Sequence, residues 1–256
     1  MSIRKMSARA TVLLACAVVL TACNSGDDSD ASDTAPPATT ASPATSAPST
    51  PAATTAAADA AGSGGAVADG SKLKTLLPTA ATAPKGWKLD DSAAYDTGAN
   101  VKSPTSALLP DDDCSQALTN GGAKTLTSDY SAAYAMAGLT GPNDGSSTVI
   151  FNSYQPGAAA KQMAEVTALA KRCATFSAQD MSGKNVKLTV TATPVAGAGD
   201  QSLDLKIQPA GKYVGSEIVL IASGNVIMGV DEADAAGAMT PLAPVAEQLA
   251  AGLPLK

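Results

Sequence analysis

Chemistry in this chain would have to come from a short list of side chains. There is no histidine among its 256 residues, so the commonest general base, metal ligand and triad member is missing. No Gly-x-Ser-x-Gly elbow, phosphate loop or dinucleotide fingerprint is present either. Ser71-Lys72 is the one nucleophile–base pair in view, but the two are adjacent and lack the helical Ser-x-x-Lys spacing. Asp111-Asp112-Asp113 and Asp231-Glu232-Ala233-Asp234 could be read as cation sites, since hard cations want clustered carboxylates. The first is better read as a helix N-terminus, where acids satisfy free N–H groups and the dipole. The second lacks the glycine and spacing of an EF-hand loop, so a solvated turn is expected. No catalytic residue, metal or cofactor is therefore expected, and the chain does not read as an enzyme.

The cysteines carry more information. Arg4, Lys5 and Arg9 precede an uncharged apolar run over residues 10–22, too short to span a bilayer and right for a signal peptide. That run ends in Leu20-Thr21-Ala22-Cys23, which resembles the bacterial lipobox. The resemblance implies acylation of Cys23 and cleavage before it, and two acyl chains suffice for stable anchoring. Cys16 leaves with the leader. Only Cys114 and Cys173 then remain in an oxidising compartment, and they are expected to form a disulfide. Closing a loop of about 58 residues is worth about 4 kcal/mol in the chain-entropy estimate.

Charge excludes one partner class. The formal net charge of −6 becomes −9 without the basic leader, and no run of Lys and Arg is present to displace phosphate counterions, so nucleic acid is not expected as a partner. Residues 23–70 are expected to be a lipidated N-terminus followed by an Ala/Thr/Ser/Pro tether. That composition cannot bury enough surface to offset its ordering entropy. As a flexible coil it would reach about 40 Å, and its Thr/Ser/Pro content resembles O-glycosylated stalks.

Residues 71–256 read as one α+β domain, with an antiparallel β-sheet, helices packed on one face and one disulfide. With one Trp, two Phe and five Tyr in the whole chain, the core must be built from small aliphatic side chains, and Trp87 is expected to be a packing anchor. Period-two alternation marks strands around Tyr134 and Met136, around Val149 and Phe151, along Val186, Leu188 and Val190, and along Leu203, Leu205 and Ile207. Two apolar segments, 218–222 and 226–230, flank Ser223-Gly224-Asn225 and predict the central hairpin. Pro156-Gly157-Ala158 opens a helix whose buried stripe runs through Met163, Val166 and Ala170 to Cys173. A short helix is expected to carry Cys114, and a last one to run over about 241–253. Six strands are expected in all.

The order of these segments resembles a family. Val149-Ile150-Phe151-Asn152-Ser153-Tyr154 leading into the helix that ends at Cys173, then Gly199-Asp200-Gln201-Ser202, then the hairpin with Gly224-Asn225-Val226, is similar to the extracellular sensor domain of PknH-type serine/threonine kinases and related actinobacterial lipoproteins. The resemblance covers roughly residues 105–253. It departs from the family in lacking an Arg before the Gly-Asn turn and a Trp before the helix-end cysteine, where Lys171-Arg172 stands. It implies an α+β domain with a ligand cleft. The expectation is a lipoprotein anchored at the extracellular face of the cell membrane, carrying a non-catalytic ligand-binding or sensing domain for an envelope ligand or protein partner. Two alternatives stand beside it. A surface protein-interaction module would show an exposed apolar patch and no pocket, whereas an envelope hydrolase would need two acids converging across a cleft.

Overall fold

A computed structural model describes residues 66–103, 114–119, 122–180, 182–233, 240–251 and 253. The chain divides into two compact units, Met1–Thr55 and Ala56–Lys256, and every described residue belongs to the second. Cys23, most of the tether and Asp111-Asp112-Asp113 lie outside the described residues. No described helix is long and apolar enough to cross a membrane.

Eight strands form one antiparallel sheet, in the order β1-β2-β3-β8-β7-β6-β5-β4. They are β1 (Lys88–Asp96), β2 (Ala133–Thr140), β3 (Ser146–Ser153), β4 (Thr175–Gln179), β5 (Asn185–Thr193), β6 (Gln201–Pro209), β7 (Ser216–Ser223) and β8 (Val226–Ala233). The helices are α1 (Gly70–Lys74), α2 (Cys114–Thr119), α3 (Gly122–Thr127), α4 (Ala158–Arg172) and α5 (Ala243–Ala250). The α+β class, the antiparallel sheet and the disulfide are as expected from the sequence. The β7–β8 hairpin lies at the centre of the sheet. Gly224 turns it with a φ of 56°, and its N–H donates to Asp200 Oδ2 at 2.7 Å.

Two expectations are corrected. The two strands that the alternation did not reveal, β1 and β4, are the two edges, where most side chains are exposed and only a few, such as Leu89, Phe176 and Ala178, are half-buried against a core. The helices, expected on one face, occupy both. In the central strands both faces are apolar: Ile150, Ile218 and Leu220 face one core, while Val149, Phe151, Val219 and Ile221 face the other. A sheet that is apolar on both sides needs cover on both. Helices α2, α3 and α4 cover the first face, and α1, α5 and Trp87 cover the second.

Helix α4 starts where the sequence sets it, with Gly157 at the N-cap in the left-handed region (φ 76°). Its stripe of Met163, Val166, Leu169 and Ala170 is buried and ends at the buried Cys173. Trp87 is 6% exposed within the second core, a packing anchor as expected.

Candidate functional site

The sequence-predicted residues fall into three groups. Cys114 and Cys173 form a disulfide with Cα atoms 5.6 Å apart, joining the start of α2 to the end of α4. Ser71 and Lys72 sit exposed in α1. There the Lys72 N–H donates to Asp69 Oδ1 at 2.8 Å, an ordinary N-cap. Asp231 and Glu232 are not in a solvated turn: β8 continues in register with β3 and β7 through Ala233, so both acids are strand residues.

That change of setting defines the candidate site. Asp231 lies between Thr148 on β3 and Ile218 on β7 and faces the first core. The backbone N–H of Ala123, in the first turn of α3, donates to its carboxylate, while Oδ1 is buried without a partner among the described residues. Burial raises its pKa from the ordinary carboxylate range to about 7. Gly122 is required opposite it. Its φ is 52°, and a Cβ there would clash with the Asp231 carboxylate.

Helix α3 is too short to hold itself in place, since isolated helices of this length are not stable. Buried side chains fix it instead. The Tyr154 hydroxyl donates to Thr127 O at 2.7 Å, Asn152 Nδ2 donates to Thr127 Oγ1 at 2.9 Å, and Gln162 Nε2 donates to Leu126 O at 2.8 Å. All three donors come from residues no more than 1% exposed. Burial also raises the pKa of Tyr154, keeping it a neutral donor. Strand β3 and helix α4 therefore position α3, and α3 positions its first-turn amide against Asp231.

Between these helices and one end of the sheet lies a groove in two parts. The inner part, about 290 Å³, has among its lining residues Leu118, Lys124, Met136, Thr148, Asp231 and Glu232. The outer part, about 620 Å³, is lined by Ala178, Val186, Leu188, Pro209, Tyr213 and Val214. Thr119, the last residue of α2, lines both. Among large apolar residues Tyr213 and Val214 are unusually open, at 40% and 46% exposed. Asp180 holds the rim. Its Oδ1 accepts from Ser182 Oγ (2.6 Å), Ser182 N (2.8 Å) and Lys184 N (3.0 Å), and its Oδ2 accepts from the Tyr213 hydroxyl (3.0 Å). Led by the Ser182 hydroxyl, these bonds hold its pKa down at about 2.

Two other features lie outside this groove. A cavity of about 590 Å³ at the opposite end of β5 and β6 is lined by Met163, Thr167 and Lys171 of α4 and by the 194–200 turn. Thr167 donates its hydroxyl to Met163 O and Asp200 accepts from Gly224 N, so two of its polar groups already serve the fold. On the second face, Lys206 Nζ lies 3.6 Å from Asp204 and 3.7 Å from Glu217, and Glu217 Oε1 accepts from Leu242 N at 3.0 Å. Burial raises the pKa of both acids. This cluster docks the start of α5. No three acids or thiols among the described residues are arranged to hold a metal ion.

The class defined by this geometry is a disulfide-bonded α+β domain with an eight-stranded antiparallel sheet and a groove at one sheet end. No family model and no curated protein matches the chain. A solved structure that it resembles is the extracellular domain of PknH from Mycobacterium tuberculosis, at 13% identity and a TM-score of 0.44, covering 73% of this chain and 95% of that one. A likeness of that size does not define a family.

Proposed function

We propose that the chain is a lipoprotein held at the outer face of the cell membrane through Cys23, with residues 1–22 as signal peptide, 23–70 as tether and 71–256 as a domain that binds a small ligand without transforming it. The observation that carries the binding half is the groove: an open, mainly apolar cleft whose inner part is lined by two acids, the half-buried Asp231 and the buried Glu232. A pocket of this volume with a few convergent polar groups suits a drug-sized ligand. Hydrolysis by paired carboxylates would need two acids converging across the cleft. Asp180 is consumed by four hydrogen bonds at the rim, while Asp231 and Glu232 are consecutive residues of β8 and so project to opposite faces of the strand.

Two measurements test the two halves. Intact mass of the membrane-extracted protein should show a chain beginning at Cys23 with a diacylglyceryl increment, and an unmodified Cys23 would sink the anchoring. For binding, 1-hexanol added to the full chain carrying Cys23→Ser, which blocks acylation, should shift the amide signals of 178–188 and 209–214 saturably. Val214→Glu, placing a charge at an exposed groove position, should abolish that shift. Shifts scattered over the surface, or unaffected by Val214→Glu, would refute a groove-bound ligand.

A further inference from the structure

We infer that the groove is selective for an amphipathic cation, with an apolar body in the outer part and an ammonium-type head against Asp231 in the inner part. The inference rests on the ligand-binding reading above and deepens it by naming the ligand's chemistry.

Three observations carry it. The outer part is lined mainly by apolar side chains, with Thr119, Gln179 and Ser182 as its neutral polar groups, and its one acid, Asp180, already has four hydrogen-bond donors. Recognition of a charged head therefore falls to the acids of the inner part. There, Asp231 has only backbone donors, and its Oδ1 is buried without a partner among the described residues. A buried acceptor left unpaired is costly, and a ligand that brings a positive charge and N–H donors relieves that cost. Finally, Thr119 lines both parts, so the subsites for head and body adjoin.

The neighbours of Asp231 leave the charge uncompensated. Strand β3 presents Thr148, β7 presents Ile218 and α2 presents Thr119, none of which titrates. Helix α3 contributes Lys124, whose Nζ lies 6.0 Å from the Tyr134 ring centroid and is drawn toward β2. Glu232, the next residue along β8, also lines the inner part and adds a second acid there, with its Oε1 beside Gly141 and Gly145. A cation bound at Asp231 would lower the pKa of that carboxyl from its raised value, so binding should weaken as the pH falls below about 7.

Three ligands of equal chain length separate head from body: hexylamine, 1-hexanol and hexanoate, titrated calorimetrically into the full chain with Cys23→Ser. At pH 8 hexylamine should bind at least tenfold more tightly than 1-hexanol, and hexanoate most weakly. Asp231→Asn should bring hexylamine down to the level of hexanol without weakening hexanol. In the parent chain the amine preference should fade by pH 5.5, where the amine keeps its charge and Asp231 does not; this arm stands even if the variant fails to fold. Hexanol and hexylamine binding alike in the groove would overturn the cation selectivity and leave the groove reading in place. Hexanoate binding as tightly as hexylamine, or an amine preference surviving both Asp231→Asn and pH 5.5, would also overturn it. Failure of all three ligands would overturn both readings.

Discussion

The two faces of the sheet share the same strands and are closed in different ways. On the second face, α5 lays Leu242, Val245, Ala246 and Leu249 over Val219, Ile221, Met228 and Val230, with Trp87 and Leu73 at the flank. Apolar burial does most of the work there, and the largest polar cluster, around Lys206 and Glu217, serves the start of α5. The first face has one long helix, α4, and two helices of six residues each. Short helices cannot seal a sheet by burial alone. They are tied down by a disulfide at the start of α2, by buried hydrogen bonds to the end of α3 and by an acid at its beginning, and the gaps between these ties are the groove. Covering a face with pinned short segments leaves room for a ligand, whereas covering it with a continuous apolar stripe does not.

The largest expected effect comes from cutting the covalent tie. The double substitution Cys114→Ala/Cys173→Ala removes a crosslink between residues separated by 59 positions, worth up to about 4 kcal/mol. Denaturant unfolding should show a loss of that order. If the faces differ as argued, native-state hydrogen exchange should also accelerate in α2 and α3 well before it does in α5. Uniform acceleration over both faces would break the contrast.

The next effect is a dependence on pH. Asp231 titrates near 7 in the folded protein because of burial, far above the ordinary 3.8. The folded state therefore keeps a proton that the unfolded state releases. The contribution to stability is full below about pH 4, falls as the pH rises toward 7 and is flat beyond. A shift of about 3 units corresponds to a loss on the order of 4 kcal/mol. Asp231→Asn should flatten the stability profile between pH 4 and 7 and be more stable than the parent at pH 8. A profile unchanged by the substitution would mean that Asp231 is solvated and that the first face is no looser in its polar bonding than the second.

How far this contrast could be read in advance depends on which residues carry it. The β7–β8 hairpin, the buried stripe of α4 and the Cys114–Cys173 bridge were legible because each is a local pattern: a Gly-Asn turn between apolar runs, a 3.6-residue period, and two thiols left in an oxidising compartment. Cover on both faces was also latent in the sequence, since the uninterrupted apolar run over 218–222 has no polar side to give to water. The edge strands were not legible. In β4 only Phe176 and Ala178 turn partly inward, and β1 is mostly exposed. Asp231 and Glu232 mislead for a physical reason: acids read as solvent-facing unless the register that carries them inward is known. The groove rim at Tyr213 and Val214 lies in a turn whose sequence has no periodicity to read.

The smallest effect is also the most local. Tyr154→Phe removes one hydroxyl from a site 1% exposed and leaves Thr127 O without that donor, which should cost about 1–2 kcal/mol. Its counterpart on the second face is Ser153→Ala, which removes the Ser153 hydroxyl's hydrogen bond to Ala68 O. Both residues stand next to each other at the end of β3, so differences in strand position cancel. If the first face depends on polar ties, Tyr154→Phe should destabilise more than Ser153→Ala and should loosen α3, raising amide exchange at 122–127 and weakening ligand binding through the displaced Ala123 N–H. Ser153→Ala should leave the groove untouched. Equal destabilisation with no change in α3 exchange would mean that Leu126 and Ala123, both fully buried, hold the helix by packing, and that the two faces are closed by the same force after all.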